Sequence, residues 1–251
     1  MSILDFNFFS LIGFKKKPDA PWAKFYKKKD MNFTVPNISI YQFIKDCAEN
    51  HMDNIAIEYF GQKVTYRKFL ALIDQCARAF RSQGIRKGDV VSILSANIPE
   101  ALISFYSLNK IGAVANMLHP LLSENEIKDA LVKYSTVMVV AMDITYSKLK
   151  NIINDTDVYK TIIISAKDSM KFITRIGYEV TQGYKVEKPE RSESFIFWKD
   201  FMKHGERYQQ DKYDEITKRD TPAVILQSGG TTGTPKGIVL SNGNFNAATM
   251  Q

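Results

Sequence analysis

Residues 227–240 read QSGGTTGTPKGIVL, four glycines, a serine, three threonines, a proline and a lysine set between apolar runs. AVILQ (Ala223–Gln227) enters the stretch and IVL (Ile238–Leu240) leaves it. Both have strand composition, so the segment reads as a strand–loop–strand clasp. Glycine accepts positive φ and lets backbone N–H groups approach a ligand. Several such groups in succession make an anion-binding concavity. Ser228, Thr231, Thr232 and Thr234 add hydroxyl donors, Lys236 adds a full positive charge, and Pro235 stiffens the exit. This combination suits the terminal phosphates of a nucleotide, with Gly229, Gly230, Gly233 and Gly237 supplying the close backbone approach. The competing reading is a plain glycine-rich hairpin, but hairpin turns seldom need ten residues with three threonines.

Other loops of similar composition do not fit. A Walker A loop has glycine before its lysine and serine or threonine after it, where this chain has Pro235 and Gly237. The dinucleotide fingerprint opens a helix, whereas this loop opens a strand. A hydrolase elbow needs glycine two residues before its serine, and Leu226 stands there.

Outward from the loop, the chain alternates. Val90–Leu94 (VVSIL) predicts a strand, Pro99–Ile111 a helix ended by Gly112, and Ala113–Met117 a strand. A helix follows, opened by the capping box of Ser123 and Glu126. VMVVA, a short helix near Ser147–Asn154, and TIIIS come next. Near-continuously apolar strands separated by amphipathic helices imply an α/β fold, with a parallel-rich sheet covered by helices on both faces. Before this unit, Ser39–Asn50 has helical spacing. NIAIEYFGQKVTY reads as two strands about a turn at Gly61, and Tyr66–Gln83 as a helix between an N-cap at Thr65 and a stop at Gly84. Ala166–Thr221 breaks the rhythm and reads as an excursion from the sheet, with one helix over Phe197–Lys203. The expected organisation is a basic, partly irregular lead-in over 1–37 and a single α/β unit over 38–251.

The formal charge is +7, from 34 basic and 27 acidic residues, with lysine clusters at 15–17 and 27–29. The favoured reading of that balance is solvated surface, with attraction to anionic ligands second to it. There is no zinc-finger spacing and no RNA-binding aromatic motif to suggest nucleic acid. No apolar run approaches the ~20 residues of a membrane span. The Phe-rich start would give a peripheral membrane contact if it folds as an amphipathic helix. Its basic residues follow the apolar part, the reverse of a signal peptide, so the expected compartment is the cytoplasm. Cys47 and Cys76 lack C-x-x-C partners and are expected to be free, reduced core thiols. His51 and His204 have no partner spacing for a metal or a triad.

SGGTTGTPKG resembles the phosphate-binding motif of the adenylate-forming (AMP-binding) superfamily, which contains acyl-CoA synthetases, luciferases and peptide-synthetase adenylation domains. It fits the pattern S/T-S/G-G-T/S-T-G-x-P-K-G at every position. KVTYRKF, GIRKGDVVSIL and LNKIGAVANMLHPLLSENEI resemble further stretches of the same family, so the likeness runs from about Pro21 to the end. Gly229 is similar to the variant of long-chain fatty acid–CoA ligases. His119 departs from the pattern, standing in an asparagine slot before Pro120, and is expected to be structural.

The resemblance implies the N-terminal, incomplete portion of the large adenylate-forming domain. It implies activation of a fatty or related carboxylic acid by Mg-ATP as an acyl-adenylate, and transfer to coenzyme A. Lys236 and Thr232 would act on the leaving phosphates and the magnesium. Ser228, Gly229, Gly230, Thr231, Thr232, Gly233, Thr234, Lys236 and Gly237 would line the nucleotide. The family's downstream adenine, ribose and catalytic-lysine segments are not in the chain, so residues 1–251 alone are expected to be inactive. Two alternatives stay open: loading of a carrier-protein thiol, and a short non-catalytic nucleotide- or acyl-binding protein.

Overall fold

The computed structural model describes residues 23–25, 34–171, 176, 187–209, 213–228 and 236–251. Helix α1 (Ile40–Ala48) starts where the Ser39 hydroxyl oxygen accepts from the Gln42 N–H. Strands β1 (Ile55–Tyr59) and β2 (Gln62–Thr65) form an antiparallel hairpin. Its two turn residues, Phe60 and Gly61, both have positive φ, 45° and 75°. That is the twist a two-residue turn requires. Helix α2 (Tyr66–Ser82) is capped by Thr65, which accepts from Lys68 N–H, and stops before Gly84 at φ 93°.

The central unit runs β3 (Val90–Leu94), α3 (Pro99–Lys110), β4 (Val114–Leu118), α4 (Glu124–Lys133), β5 (Thr136–Met142), α5 (Tyr146–Ile152) and β6 (Lys160–Ile164). The Ser123–Glu126 capping box closes at the start of α4. Among the described residues the later strands and α-helices are β7 (Phe195–Phe197), α6 (Trp198–Arg207), β8 (Pro222–Gln227), β9 (Gly237–Ser241) and α7 (Asn242–Met250). Seven strands form one sheet in the order β7-β6-β5-β3-β4-β8-β9. All neighbours are parallel except β8 and β9. Two apolar cores cover it, one beneath α1, α2, α3 and α6, the other beneath α4 and α5. The expected parallel-rich α/β sheet is what forms.

Two expectations are corrected. The 166–221 excursion is not wholly outside the sheet, because Phe195–Phe197 pairs in parallel with β6. Three residues are too few for a periodicity signal, and only pairing made them a strand. Cys76 is a buried core thiol, but Cys47 is exposed. Cys47 sits in the last turn of α1, on the face turned from the core.

The excursion is tied back at its far end. The buried Lys110 ammonium lies 2.5 Å from Asp74 Oδ1 and donates to Tyr213 Oη. Burial alone would lower the Lys110 pKa, but the hydrogen bonds to Asp74 and Tyr213 outweigh it and hold the group charged. Arg81 donates to Tyr213 O and Glu215. This anchoring delivers the chain to β8.

Candidate nucleotide-phosphate site

Strand β8 ends at Gln227 on the carboxyl edge of the parallel sheet, the edge at which open α/β sheets place ligands. Gln227 pairs with Gly237, so the two strands converge on the loop. Two hydrogen bonds close its neck. Ser228 N–H donates to Lys236 O at 2.8 Å, and Lys236 N–H donates to Ser228 Oγ at 3.0 Å. The strand–loop–strand clasp inferred from sequence is therefore the arrangement at its base. Ser228 has a role that composition alone hid: its oxygen accepts from the opposite stem, leaving the hydroxyl proton for a ligand. Lys236 is exposed, and no carboxylate of the described residues pairs with it. Gly229, Gly230, Thr231, Thr232, Gly233 and Thr234 lie outside the described residues, as does Pro235.

Gly237 is a glycine because of its neighbours. A Cβ there would lie 2.1 Å from Tyr134 Oη and 3.0 Å from Ile225 Cγ2. Tyr134 is the C-cap residue of α4, so that helix presses directly on the loop's exit strand. No sequence pattern links positions 134 and 237.

Past the exit, the Ser241 hydroxyl oxygen accepts from Asn244 N–H and starts α7. Asn242 is fully buried and makes four side-chain hydrogen bonds. Its Oδ1 accepts from Asn109 Nδ2 at 2.7 Å and from Ile40 N–H at 3.3 Å. Its Nδ2 donates to Lys218 O at 2.9 Å and to Thr217 Oγ1 at 3.2 Å. One amide thus joins α1, α3, the 217–218 turn and α7.

On the α3 side, an apolar cavity of about 370 Å³ opens between α3, β4, β8 and α7. Leu102, Phe105, Tyr106, Met117, Leu226 and Phe245 are among the residues that line it, and Ile57 and Tyr59 of β1 line it too. Leu226 stands two residues before Ser228, which sets the cavity beside the loop's neck.

The β3–α3 connection supplies a titratable group that sequence reading passed over. Glu100 lies in the first turn of α3 at 2% exposure. Burial pushes its carboxyl up to about 7, against the Ser169 hydroxyl that donates to Oε1. Asp168, itself raised by burial, adds to the shift. Glu100 Oε2 has no hydrogen-bond partner among the described residues. His119 is exposed, and its Nδ1 accepts from Leu121 N–H at 3.2 Å, a contact of the turn before α4.

Residues 44–251 match the AMP-binding enzyme family, and the chain belongs to it. It is 27% identical over 231 residues to a long-chain-fatty-acid–CoA ligase of Bacillus subtilis, covering 91% of this chain and 41% of that protein. It is 26% identical over 247 residues to an acetyl-coenzyme A synthetase of Shewanella baltica, covering 89% of this chain and 36% of that protein. The chain therefore spans about two fifths of the length of these relatives. The fold is shared with an anthranilate CoA ligase solved with anthranoyl-AMP (TM-score 0.68, 17% identity, 85% of this chain and 36% of that one). It is also shared with a long-chain-fatty-acid-CoA ligase from Archaeoglobus fulgidus (TM-score 0.66, 19% identity, 86% and 39%). Among the described residues, no helix is long and apolar enough to cross a membrane.

Proposed function

We propose that this protein contributes the phosphate-binding half of an ATP-dependent acid–CoA ligase acting on a fatty or related apolar carboxylic acid. The reaction has two balanced steps. The substrate carboxylate oxygen attacks the α-phosphorus of Mg-ATP, the bond to the bridging oxygen breaks, and pyrophosphate leaves an acyl-adenylate. The thiol of coenzyme A then attacks the acyl carbon, AMP leaves, and the thiol proton is released.

The observation that carries this reading is the neck of the loop. Two stem hydrogen bonds fix its ends on the sheet's carboxyl edge, with Lys236 beside them and paired with no carboxylate of the described residues. Charge builds on the leaving pyrophosphate, and fixed N–H donors with a lysine are worth most against charge that develops in the transition state. In this scheme Lys236 offsets that charge. The hydroxyls of Ser228, Thr231, Thr232 and Thr234 would hold phosphate oxygens, and Thr232 would assist the magnesium that enters with ATP. Gly229, Gly230, Gly233 and Gly237 let the backbone close on the nucleotide. The apolar cavity beside Leu226 suits the hydrocarbon part of the acid. A dry engineered cavity of about 150 Å³ takes benzene, so 370 Å³ has room for an aryl group or a medium-length acyl chain.

The test is acid-dependent exchange of labelled pyrophosphate into ATP, run on the protein at its native length across acids of increasing chain length. Exchange that needs an apolar acid and falls about 100-fold in Lys236→Ala supports the reading, since removing one such stabilising group costs ~10²–10³. Unchanged exchange in Lys236→Ala removes that lysine from the mechanism. Absence of acid-dependent exchange removes the ligase reading, and transfer to a carrier protein in place of coenzyme A changes the acceptor.

A further inference from the structure

Three central strands each give up an apolar position on the face beneath α4 and α5. Thr136 on β5, Ser92 on β3 and Asn116 on β4 are all fully buried. They join into one chain of hydrogen bonds. Gln227 Nε2 donates to Asn116 Oδ1 at 3.1 Å, and Asn116 Nδ2 donates to Ser92 Oγ at 2.9 Å. The Ser92 and Thr136 hydroxyls are 2.8 Å apart. Either hydroxyl can donate in that pair, and in one arrangement Ser92 accepts from Asn116 and gives its own proton to Thr136. The donors then point one way along the row, the arrangement in which successive hydrogen bonds polarise and strengthen one another.

The row also has a direction across the sheet. Thr136 is level with Val90 in the register of β5 and β3, two residues before Ser92. Ser92 is level with Asn116. Asn116 is level with Ile225, two residues before Gln227. The two-residue steps along β3 and β8 keep their side chains on one face, and a register shift in β5 between Thr136 and Met138 brings Thr136 to the same face, so the chain climbs from the amino end of β5 to the carboxyl end of β8. It ends on the residue whose next neighbour, Ser228, ties the loop's neck. An all-apolar row of the same shape would hold the sheet as well or better. What the polar row adds is a fixed side chain for Gln227, which is only half-buried and otherwise free to take other rotamers.

We infer that the Gln227–Asn116–Ser92–Thr136 chain is a positioning device for the phosphate loop, setting the entry stem and through it the affinity for ATP. Asn116 and Ser92 are positioning residues, since both act through Gln227. The inference rests on the proposed nucleotide reading, and its test separates the two.

Gln227→Met keeps shape and removes the donor at the half-buried end. Ser92→Ala removes a link one strand further away. Thr136→Val, nearly isosteric, removes the terminal hydroxyl. For each, KM is measured separately for ATP, the acid and coenzyme A at native length, together with the melting temperature. Gln227→Met is expected to raise the ATP KM about fivefold, the worth of one neutral hydrogen bond. KM for the acid and coenzyme A should stay within about twofold on the same reasoning. Ser92→Ala should move the ATP KM in the same direction by less, and Ser92→Thr, which restores the hydroxyl, should recover it. An ATP KM unchanged in Gln227→Met, or three KM values rising together in step with a lower melting temperature, overturns positioning and leaves a satisfied polar core. A wild-type protein that binds no ATP overturns the nucleotide reading itself.

Discussion

Asn242→Ala should loosen the molecule at a point no surface inspection would choose. The substitution deletes four hydrogen bonds and strands two buried donors, the Ile40 N–H and Asn109 Nδ2. Ile40 and Asn109 are 5% and 3% exposed, so neither turns to bulk water without local opening. A stranded buried donor costs ~1–3 kcal/mol, giving about 2–6 for the pair before relief. The vacated space is lined by polar atoms, and a water entering it would recover part of that. The expected loss is therefore about 3 kcal/mol. At ~2–4 °C per kcal/mol for a chain of this size, the melting midpoint should fall by about 6–12 °C. Thermal or urea unfolding followed by circular dichroism reads it. The mechanism makes a second demand. Asn109→Leu removes one of the stranded donors, so adding it to Asn242→Ala should cost less than the sum of the two singles. A fall under about 2 °C, or strict additivity in the double variant, would refute the reasoning.

Glu100 gives a pH dependence. Its folded pKa of about 7 lies above the ordinary carboxyl value of 4.5, so between those values the folded state holds a proton the unfolded chain has released. Its contribution is fully present below about pH 4.5 and is lost as pH rises towards 7, by up to roughly 3 kcal/mol; Glu100→Gln should flatten that part of a urea-midpoint profile, and an unaltered profile would place the titration elsewhere. Gly205→Ala should separate two helices. A Cβ there would lie 2.0 Å from Gln75 O and 3.0 Å from Ala79 N, both backbone atoms of α2. Overpacking of this kind costs ~1–3 kcal/mol or more, and α6 must shift together with the Phe80–Phe201 and Trp198–Phe201 contacts; wild-type stability and near-ultraviolet dichroism in the variant would count against it.

The sequence by itself determined the local elements and the chemistry of the loop. Those features are written in residues adjacent along the chain: the apolar runs of β3 and β5, the Ser123–Glu126 box, the stop glycines, and the clustered glycine, threonine and lysine of 228–237. Short-range geometry and periodicity are enough to read them, and the loop's pattern alone pointed to the family. Only the tertiary structure decided which distant residues hold the loop in place. Tyr134 against Gly237, Asn109 and Ile40 on Asn242, and Asn116 on Gln227 are pairings over separations no periodicity spans. The physical reason is burial. An asparagine or serine in an apolar strand looks like a weak strand residue until the fold removes water from it. It must then find a protein partner, and the sheet register alone determines which one is in reach.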